Sequence, residues 1–252
     1  MKAGSFDWPK NGDTKVFNFT NHPTARYLKL SVTEAAGDYG SGRELYVFKV
    51  PGFESVIPGD INNDHIIDNN DLTSYRNYTG LRKGDGDFEG YVSKGDINKN
   101  NLIDAYDISN VATRLDGGIV ATTPDSLSGK LELQVSKKTF DKDETIAIAV
   151  KGLNLRSVNA LSFALPYSQQ DLEFVSIEPV NMLNMDNMTN DRLHSNGQKA
   201  LYPTFVNVGD QPVLEGSKEL FIIKFRAKRK LSFDPKYADG ILVDKHLNTV
   251  TF

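Results

Sequence analysis

The stretch "GDINNDHIIDNNDL", residues 59–72, carries side-chain oxygens at a density that a simple turn does not need. Eight of the twelve residues from Asp60 to Asp71 are Asp or Asn. Such residues can satisfy their own backbone in solvated turns, so one copy leaves two readings open: a polar turn, or a ring of ligands. The pattern returns 36 residues later in "GDINKNNLIDAYDIS", residues 95–109. Two copies in register favour the ligands.

A twelve-residue calcium loop places oxygens at positions 1, 3 and 5, a backbone carbonyl at 7, a carboxylate or water-holder at 9 and a bidentate carboxylate at 12. With position 1 at Asp60, the set is Asp60, Asn62, Asp64, Ile66, Asp68 and Asp71. In the second copy it is Asp96, Asn98, Asn100, Leu102, Asp104 and Asp107. Many flexible oxygen ligands suit calcium better than magnesium, so two calcium ions are expected. Four carboxylates against three make the first site the tighter one. Position 6 usually needs φ > 0 and holds His65 and Asn101, which tolerate that region better than most residues. Position 8 holds Ile67 and Ile103, the apolar residues expected to pair with a neighbouring loop. Asp at position 12 has a shorter reach than the usual Glu.

Each loop runs into a helical pattern. Ile108, Val111, Ala112 and Leu115 recur at i, i+3, i+4 and i+7, and Leu72, Tyr75 and Tyr78 or Thr79 do so after the first loop. No incoming helix precedes either loop. The unit is a loop plus one helix, duplicated.

Around this unit the chain reads as β. In "ARYLKLSV" the face of Leu28, Leu30 and Val32 should meet a core, and "RELYVFKV" follows a turn-rich stretch. Two or three strands do not close a sandwich, so residues 1–53 read as the end of a larger domain. From residue 130 onward, Leu131, Leu133 and Val135, then Ile146, Ile148 and Val150, then Phe221, Ile223 and Phe225 mark core faces. Eight or nine short strands predict an antiparallel sandwich. The polar run "NMLNMDNMTNDRLHSNGQ" predicts a long loop or short helix. Its Met182, Met185 and Met188 either fill gaps or form an adaptable partner surface, with gap-filling favoured. The fold class is mainly β with a small α calcium-binding module: a partial sandwich, a duplicated loop–helix, then an antiparallel sandwich.

The 252 residues accommodate two or three domains, and 39% hydrophobic residues suffice for a core. A net charge of −4 without a basic stripe argues against nucleic acid. No apolar run approaches the roughly 20 residues of a membrane span. The N-terminus lacks the apolar stretch of a signal peptide, so any signal is expected upstream. The absence of cysteine excludes disulfides and thiolate chemistry.

The form GDxNxDxxIDxxD, with Asn100 as the one departure in the second copy, closely resembles a dockerin module over residues 58–117. The resemblance implies calcium-dependent attachment of a secreted carbohydrate-active enzyme to partner domains called cohesins. It also implies partner contacts at loop positions 10 and 11, here Asn69, Asn70, Ala105 and Tyr106, where the two repeats differ. The interval "LRKGDGDFEGYVSK" is longer than in compact dockerins. Residues 128–252 are similar in strand pattern to a cohesin domain, with an immunoglobulin-like spacer as the alternative. "TARYLKLSVTEA" and "SGRELYVF", with Glu44, resemble the second half of a discoidin (F5/8 type C) domain.

Neither HExxH, GxSxG nor a P-loop surrounds His22, His65, His194 or His246. A two-carboxylate glycosidase site is not excluded by counting acids. Trp8 reads as packing before sugar stacking. The leading expectation is a non-catalytic C-terminal region of an extracellular or cell-surface bacterial glycoside hydrolase. Its implied partners are cohesin-type or dockerin-type protein modules, with carbohydrate for the N-terminal piece. A calcium-stabilised spacer and a glycosidase hidden in the last sandwich are the alternatives. A linker at 118–129, with Ile119 and Val120, is expected to let the two modules pack side by side and leave the dockerin helices open to another protein.

Overall fold

The computed structural model describes residues 29–31, 33, 57, 59–64, 66–89, 92–115, 126–182 and 184–252. The remainder of residues 1–53, with the discoidin-like reading and Trp8, lies outside the described residues, as do His65 and the stretch Ile119–Val120. Leu30, expected to face a core, is 63% exposed, so the predicted apolar face is uncovered at that position. Residues Val56–Phe252 form one compact unit.

Two helices follow the two loops: α1 (Asn69–Tyr78) and α2 (Ala105–Leu115). Asp68 caps α1 in a reciprocal box with Asp71, which satisfies N–H groups that the first helical turn leaves free. A 3-10 turn, Val92–Gly95, leads into the second loop where an ordinary hand would have a helix. Tyr75, wholly buried on α1, donates its hydroxyl to the Gly95 carbonyl at 2.8 Å and so ties the first helix to the second loop. Ile61, Ile103, Ile108 and Val111 complete the small core between the repeats. Ile103 pairs with the chain after α1, through Gly80 N–H and Leu81 O at 2.9 Å, and not with Ile67. The turn after α1 folds back toward the second loop, and this brings Ile103 to it.

The strands follow in order: β1 (Ser128–Val135), β2 (Thr139–Phe140), β3 (Thr145–Val158), β4 (Ala160–Tyr167), β5 (Leu172–Pro179), β6 (Asp186–Asn187), β7 (Asn190–Leu193), β8 (Lys199–Tyr202), β9 (Thr204–Val206), β10 (Leu214–Ala227), β11 (Leu231–Ser232), β12 (Ala238–Val243) and β13 (Thr249–Thr251). All pairings among them are antiparallel. One sheet runs β1-β3-β10-β5; the other runs β13-β12-β4-β8-β7, with β9 bridging β4 and β6. The inward faces match the sequence pattern. Ile146, Ile148, Val150, Phe221, Ile223 and Phe225 are fully buried, and Phe221 packs between Phe163 and Phe205. Leu131 is buried, while Leu133 and Val135 reach the core half-covered.

The run 181–198 is not a free loop. It holds β6 and β7, and β7 pairs with β8 at the edge of the second sheet. Alternation was hidden because β7 reads Asn190-Asp191-Arg192-Leu193, whose buried partners are polar. Met182 and Met185 fill the sandwich core, and Met188 joins the cluster between the helices and the sheet.

The second sheet is covered on both sides. In β4, Leu161, Phe163 and Leu165 point into the sandwich, whereas Ala160, Ser162 and Ala164 point out and are equally buried. Ile241 and Val243 of β12 and Val206 of β9 share that outer face with α1 and α2. Small residues on β4 let α2 approach closely, and Ala105 N–H donates to Ser162 Oγ at 3.1 Å. The modules pack side by side as expected, but α2 lies on the sandwich of its own chain and is not open to another protein, while Asn69, Asn70, Thr73, Arg76 and Asn77 leave one side of α1 exposed. The opposite sheet has a wetter outer face, with Lys224 partly exposed and Arg226 exposed on β10.

Ala160→Leu should test this cover. Beneath a seated helix the added volume should cost about 1–3 kcal/mol, whereas Lys224→Leu on the wetter face should change stability little. Thermal unfolding of the two variants compares them; equal melting temperatures would mean the helices do not sit on β4.

Candidate functional site

The two acidic loops share one set of hydrogen bonds. The position-1 carboxylate accepts from the backbone of position 5: Asp60 Oδ1 from Asp64 N–H, and Asp96 Oδ1 from Asn100 N–H, both at 3.1 Å. The position-3 amide oxygens, on Asn62 and Asn98, accept from the same two N–H groups at 3.0 and 3.2 Å. Position 5 accepts from position 7: Asp64 from Ile66 at 2.9 Å, Asn100 from Leu102 at 3.0 Å. Position 9 accepts from position 11, Asp68 from Asn70 and Asp104 from Tyr106, both at 2.7 Å. The position-12 carboxylate clasps the loop across its width. Asp71 accepts from Ile61 and Asp68, and Asp107 from Ile97 and Asp104, at 2.7–3.0 Å. Asn101 takes φ +69° as position 6 requires, and Asn63 and Lys99 at position 4 are left-handed too.

This winding draws carboxylates out of water. Asp71 and Asp107 are fully buried, and Asp60, Asp96 and Asp104 nearly so. Burial raises the Asp71 and Asp96 carboxyls above their ordinary value. Burial pushes Asp104 up to about 6, and burial together with the Asp104 charge raises Asp107 well above its ordinary value. Among the described residues no three acidic or histidine side chains close into a ready cage. Two of the six ligand positions in the first loop, and three in the second, belong to Asn side chains or to the carbonyls of Ile66 and Leu102. An all-oxygen donor set with buried, mutually repelling carboxylates suits a hard divalent cation.

The four residues expected to meet a partner divide by repeat. Asn69 and Asn70 are exposed at the start of α1. Ala105 is wholly buried against Ser162, and Tyr106 is half-buried beside the helix–sheet cluster. In the second repeat these positions meet the sandwich of the same chain.

The seam between helices and sheet has a polar end that the sequence reading did not single out. Arg192 on β7 donates to the carbonyls of Thr79, at 2.7 Å, and Asn77. Asn190 donates to that of Arg76. These are the carbonyls that a helix C-terminus leaves unsatisfied, and a cation there also meets the negative end of the helix dipole. Burial pulls the Arg192 guanidinium below its ordinary value, opposed by Asp85 and Asp87.

Beside it, Asp85 enters a niche of the sandwich. Its carboxylate lies 2.7 Å from His194 Nδ1 and accepts from Ser195 N–H at 3.0 Å and from Arg82 N–H at 3.2 Å. His194 Nε2 lies 2.8 Å from the Tyr202 hydroxyl. Asp85 and His194 are 6% and 3% exposed, so this hydrogen-bonded pair sits out of water. Burial alone would raise the Asp85 carboxyl, but His194 and the two N–H groups outweigh it and hold it below its ordinary value. Gly80 abuts the same place. It takes φ +82°, and a Cβ there would fall 2.3 Å from the Tyr202 ring.

About half of the chain is similar in structure to solved cohesin modules. One, from the family 33 glycoside hydrolase of Clostridium perfringens, has a TM-score of 0.38 and 11% identity, covering 50% of this chain and 90% of that one. The second type II cohesin module of the adaptor scaffoldin of Acetivibrio cellulolyticus has a TM-score of 0.40 and 11% identity, with 49% and 83% covered. A non-cellulosomal cohesin from Archaeoglobus fulgidus has a TM-score of 0.34 and 18% identity, with 45% and 83% covered. No family model and no curated protein matches the chain.

The depressed Asp85 carboxyl fixes a pH dependence. Its stabilising contribution is present above its unfolded value, near ~3.9, and is lost as pH falls through the lower folded value. The stability advantage of wild type over Asp85→Asn should therefore shrink below about pH 4. Calorimetric scans from pH 3 to 7 compare the two; an advantage that does not shrink would exclude this role for Asp85.

Proposed function

We propose that this chain is a calcium-dependent protein–protein attachment segment, dockerin-like in residues 58–117 and cohesin-like in residues 128–252. It would belong to the non-catalytic part of an extracellular bacterial glycoside hydrolase. The observation that supports it most is the seating of a duplicated loop–helix on one covered face of the sandwich. A helix pair bound to a sheet face is a recognition geometry, and here both halves occur in one chain. The burial of that seam also favours the rigid-spacer reading.

Calcium, when bound, supplies positive charge that lets buried carboxylates stay ionised. Asp60, Asn62, Asp64, Asp68 and Asp71, with the Ile66 carbonyl, would hold one ion. Asp96, Asn98, Asn100, Asp104 and Asp107, with the Leu102 carbonyl, would hold the other. The protein's own part is to hold each loop closed through its position-12 clasp, and so to fix the start of each helix. Since α2 begins at Ala105 and Tyr106, the second loop sets the register of the helix that meets β4. Binding of the ion then stabilises the seam as well as the loop.

Titration calorimetry on the full chain should find two sites, the tighter in the first loop. Calcium at a hundredfold excess over its dissociation constant should add about 2.7 kcal/mol per site. Asp71→Ala, which removes the clasp, should weaken the first site more than Asn62→Ala does. Absence of heat on calcium addition would reject the reading, and a tighter second site would reject the charge argument. Affinity capture of an external module with and without chelator separates attachment from a spacer role.

A further inference from the structure

The covered sheet face carries two kinds of contact with the helical module. The apolar kind, Ala160, Val206, Ile241 and Val243 against the helices, has little directionality. The polar kind is directional: Arg192, half-buried, on the carbonyls ending α1, and Asp85, out of water, in the niche of His194, Ser195 and Tyr202. Asp85 is neither a loop ligand position nor one of loop positions 10 and 11. It belongs to the longer interval between the repeats, at the tip of "LRKGDGDFE". Gly86 N–H also donates to Ser195 Oγ at 3.2 Å, and Arg82 to Gln198. The interval therefore reads the turn of the β7–β8 hairpin, at His194, Ser195 and Gln198.

Resting on the attachment reading, we infer that Leu81–Phe88 is the selectivity element of this docking face. Asp85 is the residue by which His194 admits a helical module, and the chain's own module is the resident occupant. The face accepts modules that present a carboxylate at that place and a glycine where Gly80 meets Tyr202. It excludes modules lacking either, because a buried His194 niche without its carboxylate leaves polar groups unpaired. A second copy of this chain is the partner that satisfies both conditions. In the intact chain it is held off by the tethered module, whose effective concentration is roughly millimolar against micromolar protein, an advantage of roughly a thousandfold.

Trans-complementation between full-length copies tests this in constant calcium. Asp85→Asn leaves an intact sheet under a weakened module; His194→Gln leaves an intact module on a weakened sheet. Mixed, the two regenerate one native Asp85–His194 contact across chains. With different affinity tags, this pair should be captured near 1:1, and each variant alone, wild type alone and Glu89→Gln alone should stay at background. Where Asp85→Asn fails to melt cooperatively, Gly80→Ala replaces it as the copy whose sheet is free. Capture of the mixture at the level of the single variants would overturn the inference, and so would capture of wild type by wild type. Calcium calorimetry reads the loops and this experiment reads the seam, so failure of one is distinct from failure of the other.

Discussion

The outward row Ala160, Ser162, Ala164 on β4 is the constraint on which the arrangement depends. Large side chains there would hold a helix away from the sheet. With methyl and hydroxymethyl groups the backbone of α2 comes close enough for Ala105 N–H to reach Ser162 Oγ. Once α2 is seated, α1 follows through the shared core of Tyr75, Ile103 and Ile108. The C-terminal carbonyls of α1 then arrive at Arg192, and the turn after α1 brings Asp85 to His194. Each polar contact at the seam is a consequence of that close approach. None has an equivalent on the outer face of β10, where lysine and arginine meet water.

The loops and the seam are linked through the position-12 carboxylates. Asp107 holds both the entry of the second loop, at Ile97, and the first turn of α2, at Asp104. The same group is buried and repelled by Asp104. A buried carboxylate pair without a counter-charge opposes folding, so charge balance in the loop decides how firmly α2 begins, and α2 carries the interface. Loop charge and the helix–sheet contact thereby share one structural element, α2.

Much of the candidate site was legible locally. The turns of the two acidic loops, the start of each helix and the inward faces of β3 and β10 follow from spacing alone, because each is set by residues within a few positions of one another. The covered face was legible in principle too. "ALSFAL" is apolar or small at every position, and a strand buried on both faces reads that way. The reading of 181–198 as a loop failed for a different reason. The outward side chains of β7 are Asn190 and Arg192, polar because their partners are backbone carbonyls of α1, so the strand lacks an apolar alternation.

The sequence by itself determined the two acidic loops, the helix after each, and an antiparallel sandwich with Phe221 and Phe225 at its core. These rest on local periodicity and on ligand spacing, which the chain states directly. Tertiary structure alone decided that the helices cover β4, that Ala105 meets its own sandwich while Asn69 stays exposed, and that Asp85 pairs with His194 across 109 positions of sequence. A hydrogen-bonded pair at that separation leaves no periodic trace. It exists because two surfaces were brought together, and only packing determines which residues then face each other.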